Sequence, residues 1–411
     1  MLNANTRGWW IAVMLFLLTT INCVDRLVLA SVAPILQSEL HLSSTQYSYI
    51  VIAFLAGMML GQLPCGIFID RIGVRLGLPA ILVGWSIVNV LHVGARQVAQ
   101  FMGLRLAMGI FESGNYSGGL KAIAQTLPEQ SRAVALGLFN SGFLLGSVLA
   151  PPIVVYTAEH FGWKSAFLLP GLIGMLWIIP WFAVFRGAPE AAPAKTDSLG
   201  PALSLGTLLR MKQTWGVIAV RATSGPISQF YWYWLPLYLV RGRGATMADM
   251  SRFAAIAYII GGFGNIAGGY ISGLLIKAGM SSDRSRKVTF VAGALLCAAC
   301  NASVTLPQSV FAADMLAGAA IFGVNVMSCM LLAVMSDRFP QSSLARVGGL
   351  TGMGDGAVSM PLTLCAGIIL DKFSFSVVFA GATILPLLSI AALYLLVRPL
   401  VYRESPLAVV R

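Results

Sequence analysis

The sequence predicts an all-α membrane protein whose twelve transmembrane helices form two pseudo-symmetric halves of six helices. Three observations lead to this fold class. Hydrophobic residues make up 57% of the 411 residues and charged residues only 10%, a composition that does not suit a water-soluble surface. Apolar runs of about 20 residues recur along the chain, each long enough to cross a hydrocarbon layer of about 30 Å. A polar stretch near the middle divides these runs into two sets of six.

The apolar runs are interpreted as helices, because open strand edges find no hydrogen-bond partners in lipid and the alternating pattern of a barrel strand is missing from the sequence. The first run is expected to be retained rather than cleaved as a signal peptide, since Asp25 and Arg26 interrupt it and Pro34 follows its small residues. The predicted spans are 9–33, 44–69, 75–94, 98–122, 134–158, 164–185, 213–240, 251–277, 288–305, 309–334, 346–370 and 375–398.

The predicted halves, residues 1–185 and 213–411, are joined by residues 186–212, which are rich in Pro, Ala and Gly. This stretch is expected to be a cytoplasmic linker. Two six-helix halves around a central path are a recurrent plan of transporters, in which the substrate binds near the middle of the membrane where the halves meet.

The net charge of +12 is explained by its distribution along the chain. If both termini are cytoplasmic, 18 of the 27 Lys and Arg residues fall on cytoplasmic ends and loops, 6 on the opposite side and 3 within spans. This asymmetry follows the positive-inside rule, so the charge requires no nucleic-acid partner. The six cysteines lie in predicted spans and are interpreted as packing residues rather than as redox or metal ligands. We therefore expect no metal site.

Charged residues in the middle of a span are costly, about 2.5–3.5 kcal/mol each on insertion scales, and usually face a protein interior or a water-filled cavity. Arg105 and Glu112 are seven residues apart in span 4, which places them within about 20° of the same helix face. Asp25 and Arg26 in span 1 point about 100° apart, so one is expected to face the cavity and the other to pair sideways. The alternative is that these charges form structural ion pairs between spans 1 and 4.

Two more charges lie in the second half. Arg221 in span 7 either lines the cavity or extends its side chain toward the cytoplasmic end of the helix. Asp355 in span 11 lies among glycines, and a gating role and a structural role both remain open for it.

The loop after span 2 reads GIFIDRIGVR and fits the pattern Gly-x-x-x-Asp-Arg-x-Gly-x-Arg through Gly66, Asp70, Arg71, Gly73 and Arg75. In this loop the sequence resembles the major facilitator superfamily. The resemblance implies that the loop acts as a conformational latch between the halves and does not touch the substrate. Asp70 is expected to meet a helix N-terminus or an arginine across the interface.

A closer resemblance covers essentially the whole chain. The segments INCVDR, GQLPCGIFIDRIGVR, ESGN, FNSGFLLGSVLAPP and YWYWLPLYL are similar to the anion:cation symporter family, and most of all to its hexuronate-transporter-like group. The resemblance implies that Arg26 and Arg105 bind or support the substrate carboxylate. It also implies that Asp25 and Glu112 take up and release protons.

The chemistry of these side chains agrees with that implication. A guanidinium group stays charged and can hold a carboxylate by two parallel hydrogen bonds, whereas a carboxyl group in a low-dielectric interior can become protonated. Further candidates for substrate contacts are Asn22, Asn115, Arg221 and Tyr233. Cys23 stands where relatives usually have tyrosine, and Met58 where they usually have an aromatic residue, so the identity of the sugar acid stays open.

The sequence therefore predicts a secondary active transporter that takes up a small organic anion by proton-coupled symport and alternating access. A sugar acid such as a hexuronate or an aldonate is the expected substrate. The protein is expected in the cell (inner) membrane as a monomer, with the proton as coupling ion and no other cofactor. An exporter or antiporter of the same superfamily is the main alternative, although span 5 lacks the pattern Gly-Pro-x-x-Gly-Gly. A transport-dead nutrient sensor or a membrane enzyme is less favoured, because no catalytic cluster is evident.

Overall fold

The structure is a computed structural model that describes residues 4–185, 203–304, 306 and 309–397. Every regular element in these residues is a helix. The predicted linker is residues 186–212, and its residues 186–202 lie outside the described part of the chain. Its last part contains a short helix, Leu205–Arg210, and the first residue of the next helix, Lys212.

The first half contains six spans. Its helices are α1 (Ala4–Glu39), α2 (Ser44–Ile72), α3 (Val74–Leu91), α4 (Val98–Glu112), α5 (Gly114–Thr126), α6 (Glu129–Phe161) and α7 (Trp163–Val184). Residues 98–122 are predicted as one helix, but the structure interrupts this span at Ser113. The Ser113 hydroxyl donates to the carbonyl oxygen of Ile110 at 2.6 Å, a local bond that competes with regular helix geometry. Helices α4 and α5 together therefore form span 4.

The second half contains the other six spans. Its helices are α8 (Leu205–Arg210), α9 (Lys212–Leu237), α10 (Met247–Lys277), α11 (Ser282–Ser303), α12 (Val310–Arg338), α13 (Leu344–Lys372) and α14 (Phe375–Leu396). A π-helical turn, Tyr238–Gly242, extends α9. The short α8 precedes the spans, and each predicted span coincides with one long helix.

The twelve-helix prediction is thus confirmed over the described chain. Judged by length and composition alone, nine of the spans in the described residues are long and apolar enough to cross a membrane. The remaining three are the interrupted α4–α5 pair, α9 and α11, and the last of these begins with the charged sequence SDRSRK.

Hydroxyl side chains begin several of the helices. Ser43, Thr246, Ser281 and Ser309 each accept a hydrogen bond from a backbone N–H in the first turn of the helix that follows. These caps satisfy N–H groups that have no partner within the helix. They fix where α2, α10, α11 and α12 start.

The two halves meet along three pairs of helices: α2 packs against α13, α6 against α10, and α1 against α9. Small residues allow close approach. Gly262 of α10 faces Leu144 of α6, and Gly367 of α13 faces Ser48 of α2. The interior faces of α1, α2, α6, α9, α10 and α13 therefore form the interface between the halves.

Several polar contacts between the halves lie at one end of the bundle, which holds residues 40–43, 238–246 and 373–374 and is here called the closed end. Asp371 of α13 accepts hydrogen bonds from the backbone N–H groups of Ser44 and Thr45, at 2.6 and 2.9 Å. Arg241 donates to Gln37 at 2.7 Å and to the Ser44 hydroxyl at 3.3 Å. The second half thus caps the first turn of α2.

The opposite end, here called the linker end, carries ion pairs within each half. Lys121 of α5 donates to Asp70 at 2.7 Å, so the partner of Asp70 differs from the helix N-terminus or cross-interface arginine expected from the sequence. The reason is that α5 ends beside the loop after α2. In the second half, the pairs are Arg286–Asp337, Lys287–Asp283 and Arg338–Asp283.

We expect Asp371→Asn to loosen the closed end. Each hydrogen bond from an N–H to a carboxylate contributes about 1.5–3 kcal/mol, and a neutral amide accepts more weakly. The variant should therefore shift the population about tenfold toward a conformation in which Ser44 and Thr45 separate from α13. Distances between spin labels on the two halves at this end check the prediction.

Suitable label positions are the exposed His41 and Ser374, each changed to cysteine after the partly accessible Cys329 and Cys365 are replaced by serine. Asp249→Asn is the matched control, because Asp249 lies at the same end but bonds Thr246 within its own helix cap. Identical distance distributions in wild type and Asp371→Asn would contradict the prediction.

Candidate functional site

The centre of the first half holds a buried ion pair between α1 and α4. Nε and Nη2 of Arg26 donate to the same oxygen of Glu112, Oε2, at 3.2 and 3.1 Å. The Glu112 side chain is completely buried, whereas 13% of the Arg26 side chain is exposed. Asn22 accepts a longer bond from Arg26 Nη2 at 3.5 Å. Glu112 therefore binds the Nε–Nη2 edge of the guanidinium, while a small part of the Arg26 side chain remains exposed.

Aromatic rings and a thioether surround the same guanidinium. Its central carbon lies 5.3 Å from the ring centre of Phe54 and 5.6 Å from that of Phe143, distances typical of cation–π contacts. Met58 Sδ lies 3.8 Å from Nη2. The ring of Phe54 also packs edge-on against Tyr233 of α9, with 6.4 Å between ring centres. Arg26 is thus positioned at the interface between the halves.

Asp25 points away from Arg26 and into the first half. Trp85 Nε1 donates to Asp25 Oδ2 at 3.1 Å, and Asn89 Nδ2 donates to Oδ1 at 2.7 Å. Both donors belong to α3 and are neutral, and Asp25 is completely buried. The structure therefore agrees with the expected division: Arg26 faces the interface and Asp25 pairs sideways with another helix.

Arg105 is the most unusual charge of this half. It is completely buried, yet within the described residues its Nε and Nη2 have no hydrogen-bond partner. Its contacts are Met108 Sδ, 3.8 Å from Nη1, and the ring of Phe167, whose centre lies 5.7 Å from the central carbon. Glu112 lies two turns further along the same helix face as Arg105, but it accepts hydrogen bonds from Arg26 and not from Arg105. Because burying an unsatisfied cation is costly, this guanidinium is a candidate to receive an anion.

Other buried polar atoms nearby also lack partners in the part of the chain that the structure describes. They are the Tyr233 hydroxyl, Asn22 Nδ2, Glu112 Oε1 and Asn115 Oδ1. The Tyr233 ring packs against Phe54, which also contacts the Arg26 guanidinium. The backbone carbonyl of Tyr233 accepts a hydrogen bond of 2.8 Å from Tyr47. This set of unused donors and acceptors around two arginines is suited to a polar anionic ligand.

Glycines determine how close the helices of this site come. A side chain at Gly57 of α2 would overlap the carbonyl of Leu106, and one at Gly109 of α4 would overlap the carbonyl of Phe54. The backbones of α2 and α4 are therefore in direct contact, which places the α2 side chains that surround Arg26 beside Glu112.

A close contact between α1 and α6 accounts for the small side chain of Cys23. Its Cβ lies against Gly146 of α6, and a side chain at Gly146 would overlap it. Cys23 is completely buried in this contact between α1 and α6. A small side chain at position 23 thus matches the close approach of the two helices.

The second half has its own pair, between α9 and α13. Nε of Arg221 donates to Asp355 Oδ2 at 3.1 Å, Nη2 lies 3.0 Å from the same oxygen as an ion pair, and Ser359 donates to Oδ1 at 2.7 Å. About a third of the Arg221 side chain is exposed, whereas Asp355 is buried. The two residues that the sequence left ambiguous are therefore partners of each other.

The predicted latch residues lie at the linker end, after α2. Gly73 has a φ of 85°, a conformation that favours glycine and lets α3 start directly after α2. Arg71 and Arg75 are exposed, and the Arg75 carbonyl accepts a hydrogen bond from Trp181 at 3.0 Å. Gly66 has open space where a side chain would lie. The latch role of this loop stays a prediction.

Sequence reasoning missed several residues of this interior. Trp85 and Asn89 are four residues apart and share one face of α3, and this spacing of two polar donors is the signal that could have identified them. Asp314 lies near the start of its span, where the sequence gives no reason to expect a buried charge. It is completely buried, and neither carboxylate oxygen has a hydrogen-bond partner among the described residues.

Comparisons with known proteins point to one family. The model of a family described as the Major Facilitator Superfamily matches residues 15–277. Among similar proteins, the hexuronate transporter of Escherichia coli (strain K12) is 29% identical over 92% of this chain and 91% of its own length. The probable galactarate/D-glucarate transporter of Bacillus subtilis (strain 168) is 27% identical over 95% of this chain and 92% of its own.

A solved structure shares the fold. It is a bacterial homologue of the human lysosomal transporter Spinster in an inward-facing and unoccupied conformation, with a TM-score of 0.73. The match covers 95% of both chains at 17% sequence identity, so it concerns the fold alone.

We expect the Arg26–Glu112 pair to behave as a buried pair in a double-mutant cycle. Arg26→Leu leaves Glu112 buried without its cation and should lower the free energy of unfolding by about 3–5 kcal/mol. Arg26→Leu together with Glu112→Gln removes both charges and should be less destabilised than the single variant. The difference in unfolding free energy between the variants is measured by unfolding the purified proteins in detergent with heat or denaturant.

The exposed pair Lys121–Asp70 provides the matched control. The Asp70 side chain is 71% exposed and the Lys121 side chain 28% exposed. Because an ion pair at the surface contributes little, Asp70→Asn should change the free energy of unfolding by less than about 1 kcal/mol. A double variant that is less stable than Arg26→Leu alone would argue against a direct pair.

Proposed function

The chain belongs to the Major Facilitator Superfamily, a family of transporters, and from this premise we propose that it is a proton-coupled importer of a sugar acid. The substrate is a small organic anion such as a hexuronate or an aldonate, as the names of its relatives suggest. The observation that carries the proposal is Arg105, a completely buried guanidinium with unused donors beside the Arg26–Glu112 pair.

Arg105 binds the carboxylate of the substrate. Its Nε and Nη2 are the two donors without described partners, and they lie on one edge of the guanidinium, which is the geometry for two parallel hydrogen bonds to a carboxylate. Tyr233, Asn22 and Asn115 offer neutral polar atoms for the hydroxyl groups of a sugar acid. Phe54 and Phe143 provide flat apolar walls.

Glu112 couples this binding to a proton. As a carboxylate it holds Arg26 through two hydrogen bonds to one oxygen, and its second oxygen, Oε1, has no described partner and can accept the proton. Protonation removes the negative charge and weakens the bonds to Arg26. Arg26 then becomes available to the substrate. Asp25 is the second proton-coupling acid, and Trp85 and Asn89 hold it in place.

The two halves rock about this site in alternating access. The contacts of Asp371 and Arg241 at the closed end must break for the site to open there, and the loop with Gly66, Asp70 and Arg71 acts as a latch at the linker end. Both termini lie in the cytoplasm, so the closed end faces outward from the inner membrane. Asp355 acts as a gate residue through Arg221. The protein works as a monomer without an organic cofactor.

We expect Arg105→Gln to abolish binding of the substrate anion. Glutamine stays polar but is shorter and lacks the charge and the paired donors, and loss of a bidentate charge-assisted contact should weaken affinity at least about tenfold. Thermal stabilisation of the purified protein by hexuronates and aldonates measures binding. Arg96→Gln is the control, because Arg96 is exposed two residues before the start of α4. Normal affinity in Arg105→Gln would move the carboxylate site elsewhere.

We expect Glu112→Gln to abolish proton-driven accumulation and to leave exchange of labelled for unlabelled substrate. Glutamine cannot carry a proton but still offers an oxygen to Arg26, so binding and rocking survive without coupling. Uptake into proteoliposomes under an imposed pH gradient is compared with exchange at equal pH on both sides. Uphill uptake at the wild-type rate in this variant would contradict the assigned role.

A further inference from the structure

The face of α3 that holds Asp25 continues to the closed end of the bundle. Trp85 and Asn89 donate to Asp25 from this face. His92 follows three residues after Asn89, in the short 3-10 turn that ends the helix. Steps of four and three residues place the three side chains on one face. All three are completely buried, although Gly94, two residues beyond His92, is exposed. One polar face therefore leads from Asp25 to within a turn of the surface.

The hydrogen bonds of His92 leave one of its ring nitrogens unused. Nδ1 lies 2.8 Å from the carbonyl oxygen of Val88, and because a carbonyl can only accept, Nδ1 carries the hydrogen of the neutral ring. Nε2 then has the lone pair, and it lacks a hydrogen-bond partner among the described residues. The Asn89 oxygen Oδ1, a neighbour three residues away on the same face, is an unused acceptor too. His92 is thus a buried base with a free site for one proton.

A shared aromatic ring places His92 near Arg105. The imidazole stacks on Phe167 with 4.9 Å between ring centres, and the central carbon of Arg105 lies 5.7 Å from the centre of the same ring. Laid end to end, these two distances put the imidazole and the guanidinium at most about 11 Å apart. Phe101, one turn from Arg105 on the same face of α4, also contacts His92, at 5.9 Å between ring centres. The two basic groups therefore share one interior region.

The helices packed around His92 bring four charged groups toward it, which are Asp25 and Glu39 of α1, Arg105 of α4 and Lys164 of α7. Glu39 and Lys164 are exposed, so water and salt screen their effect on the buried ring. Asp25 is the buried acid and Arg105 the buried cation. Because like charges repel, Arg105 opposes a second positive charge on His92 as long as no anion neutralises it.

The repulsion is large enough to measure. Two unit charges about 11 Å apart, at an effective dielectric constant of about 20, change a protonation equilibrium about tenfold, which corresponds to about one pH unit. A carboxylate bound to Arg105 cancels most of this effect. Binding of an anion at Arg105 therefore favours the uptake of a proton by His92.

We propose that His92 is a proton-coupling residue, which takes up a proton when the substrate anion binds Arg105. The inference rests on the proposed function and adds a third proton site to Glu112 and Asp25. The proton adds to the lone pair of Nε2 and gives an imidazolium with two N–H groups. Its release restores the neutral ring with the hydrogen on Nδ1. His92 acts on the substrate through Arg105 and does not touch it.

Nuclear magnetic resonance of the histidine rings tests the proposal directly. The chain has three histidines, so a protein labelled only in histidine gives three ring signals, which His41→Gln and His160→Gln assign. In the ligand-free full chain in detergent, His92 is expected to be the neutral Nδ1–H tautomer at neutral pH. Saturating galacturonate should move the midpoint of the His92 titration up by about one pH unit. The exposed His41 and His160 should keep their midpoints.

Arg105→Gln tests the same link without any ligand. Removal of the cation should move the His92 midpoint up by about one pH unit in the ligand-free protein, and galacturonate should then have no further effect. Arg105→Lys keeps a positive charge at this position and is expected to keep the wild-type midpoint.

His92→Phe tests the role of the ring in coupling. Phenylalanine can still stack on Phe167 but cannot take up a proton, so the variant should take up fewer protons per bound galacturonate than wild type. Calorimetry in two buffers of different ionisation enthalpy measures this number. His160→Phe is the matched control, because His160 Nδ1 lies 2.9 Å from the Tyr156 carbonyl oxygen and its ring stacks on Tyr156, but it is exposed at the same end. It should match wild type.

The outcomes separate the two proposals. If Arg105→Gln leaves the His92 titration unchanged, or if galacturonate binds wild type without moving it, the link between His92 and Arg105 is wrong and the sugar-acid transporter remains. Equal proton uptake by His92→Phe and wild type also contradicts the coupling role. If neither galacturonate nor galactonate binds the folded wild type, the proposed function itself fails, and the ligand-free Arg105→Gln variant still decides the electrostatic link.

Discussion

A charge inside the hydrocarbon layer needs a partner, and the interior of this protein is organised by that requirement. Glu112 and Asp355 each hold an arginine, while Asp25 is satisfied by the neutral donors of Trp85 and Asn89. Each of these contacts joins two helices, so the partners of the charges also fix how α1, α3, α4, α9 and α13 pack. Among the central charges of the first half, Arg105 departs from the rule, since its Nε and Nη2 have no hydrogen-bond partner in the described chain. The same physical requirement that orders the other charges identifies this one as a place for a ligand.

The conformational behaviour follows from where the contacts between the halves lie. At the closed end a carboxylate of one half caps a helix of the other, a contact that is directional and is lost after a small displacement. At the linker end the ion pairs named above tie helices within one half and so stiffen each half as a unit. Contacts between small residues, such as Gly367 against Ser48, allow two such units to move past each other at low cost.

Much of the fold was accessible from the sequence, because lipid leaves few choices. In lipid, a run of about 20 apolar residues is expected to be a helix, and over the described residues all twelve predicted spans are helical, with an interruption in the fourth. The charges in the middle of spans could also be found, because they interrupt apolar runs, whereas Asp314 near the start of its span could not. The 100° between Asp25 and Arg26 indicated their different directions. Their partners were not accessible, because pairing depends on the rotation and depth of helices that are far apart in sequence. Thus Glu112 pairs with Arg26 although Arg105 lies on the same helix face as Glu112. Likewise, Asp70 pairs with Lys121 of its own half.

Glycine residues determine the geometry of the site as much as the charged residues do. Gly57 and Gly109 bring α2 against α4, and only at that distance do Phe54 and Met58 reach the guanidinium that Glu112 holds. Gly225 lets the Asp355 carboxylate of α13 lie directly against the backbone of α9. A substitution there would displace Asp355 and leave Arg221 without its partner, although no charged residue had changed. The electrostatics of the central path are therefore determined by helix packing, so substrate preference can change through glycine positions that never touch the substrate.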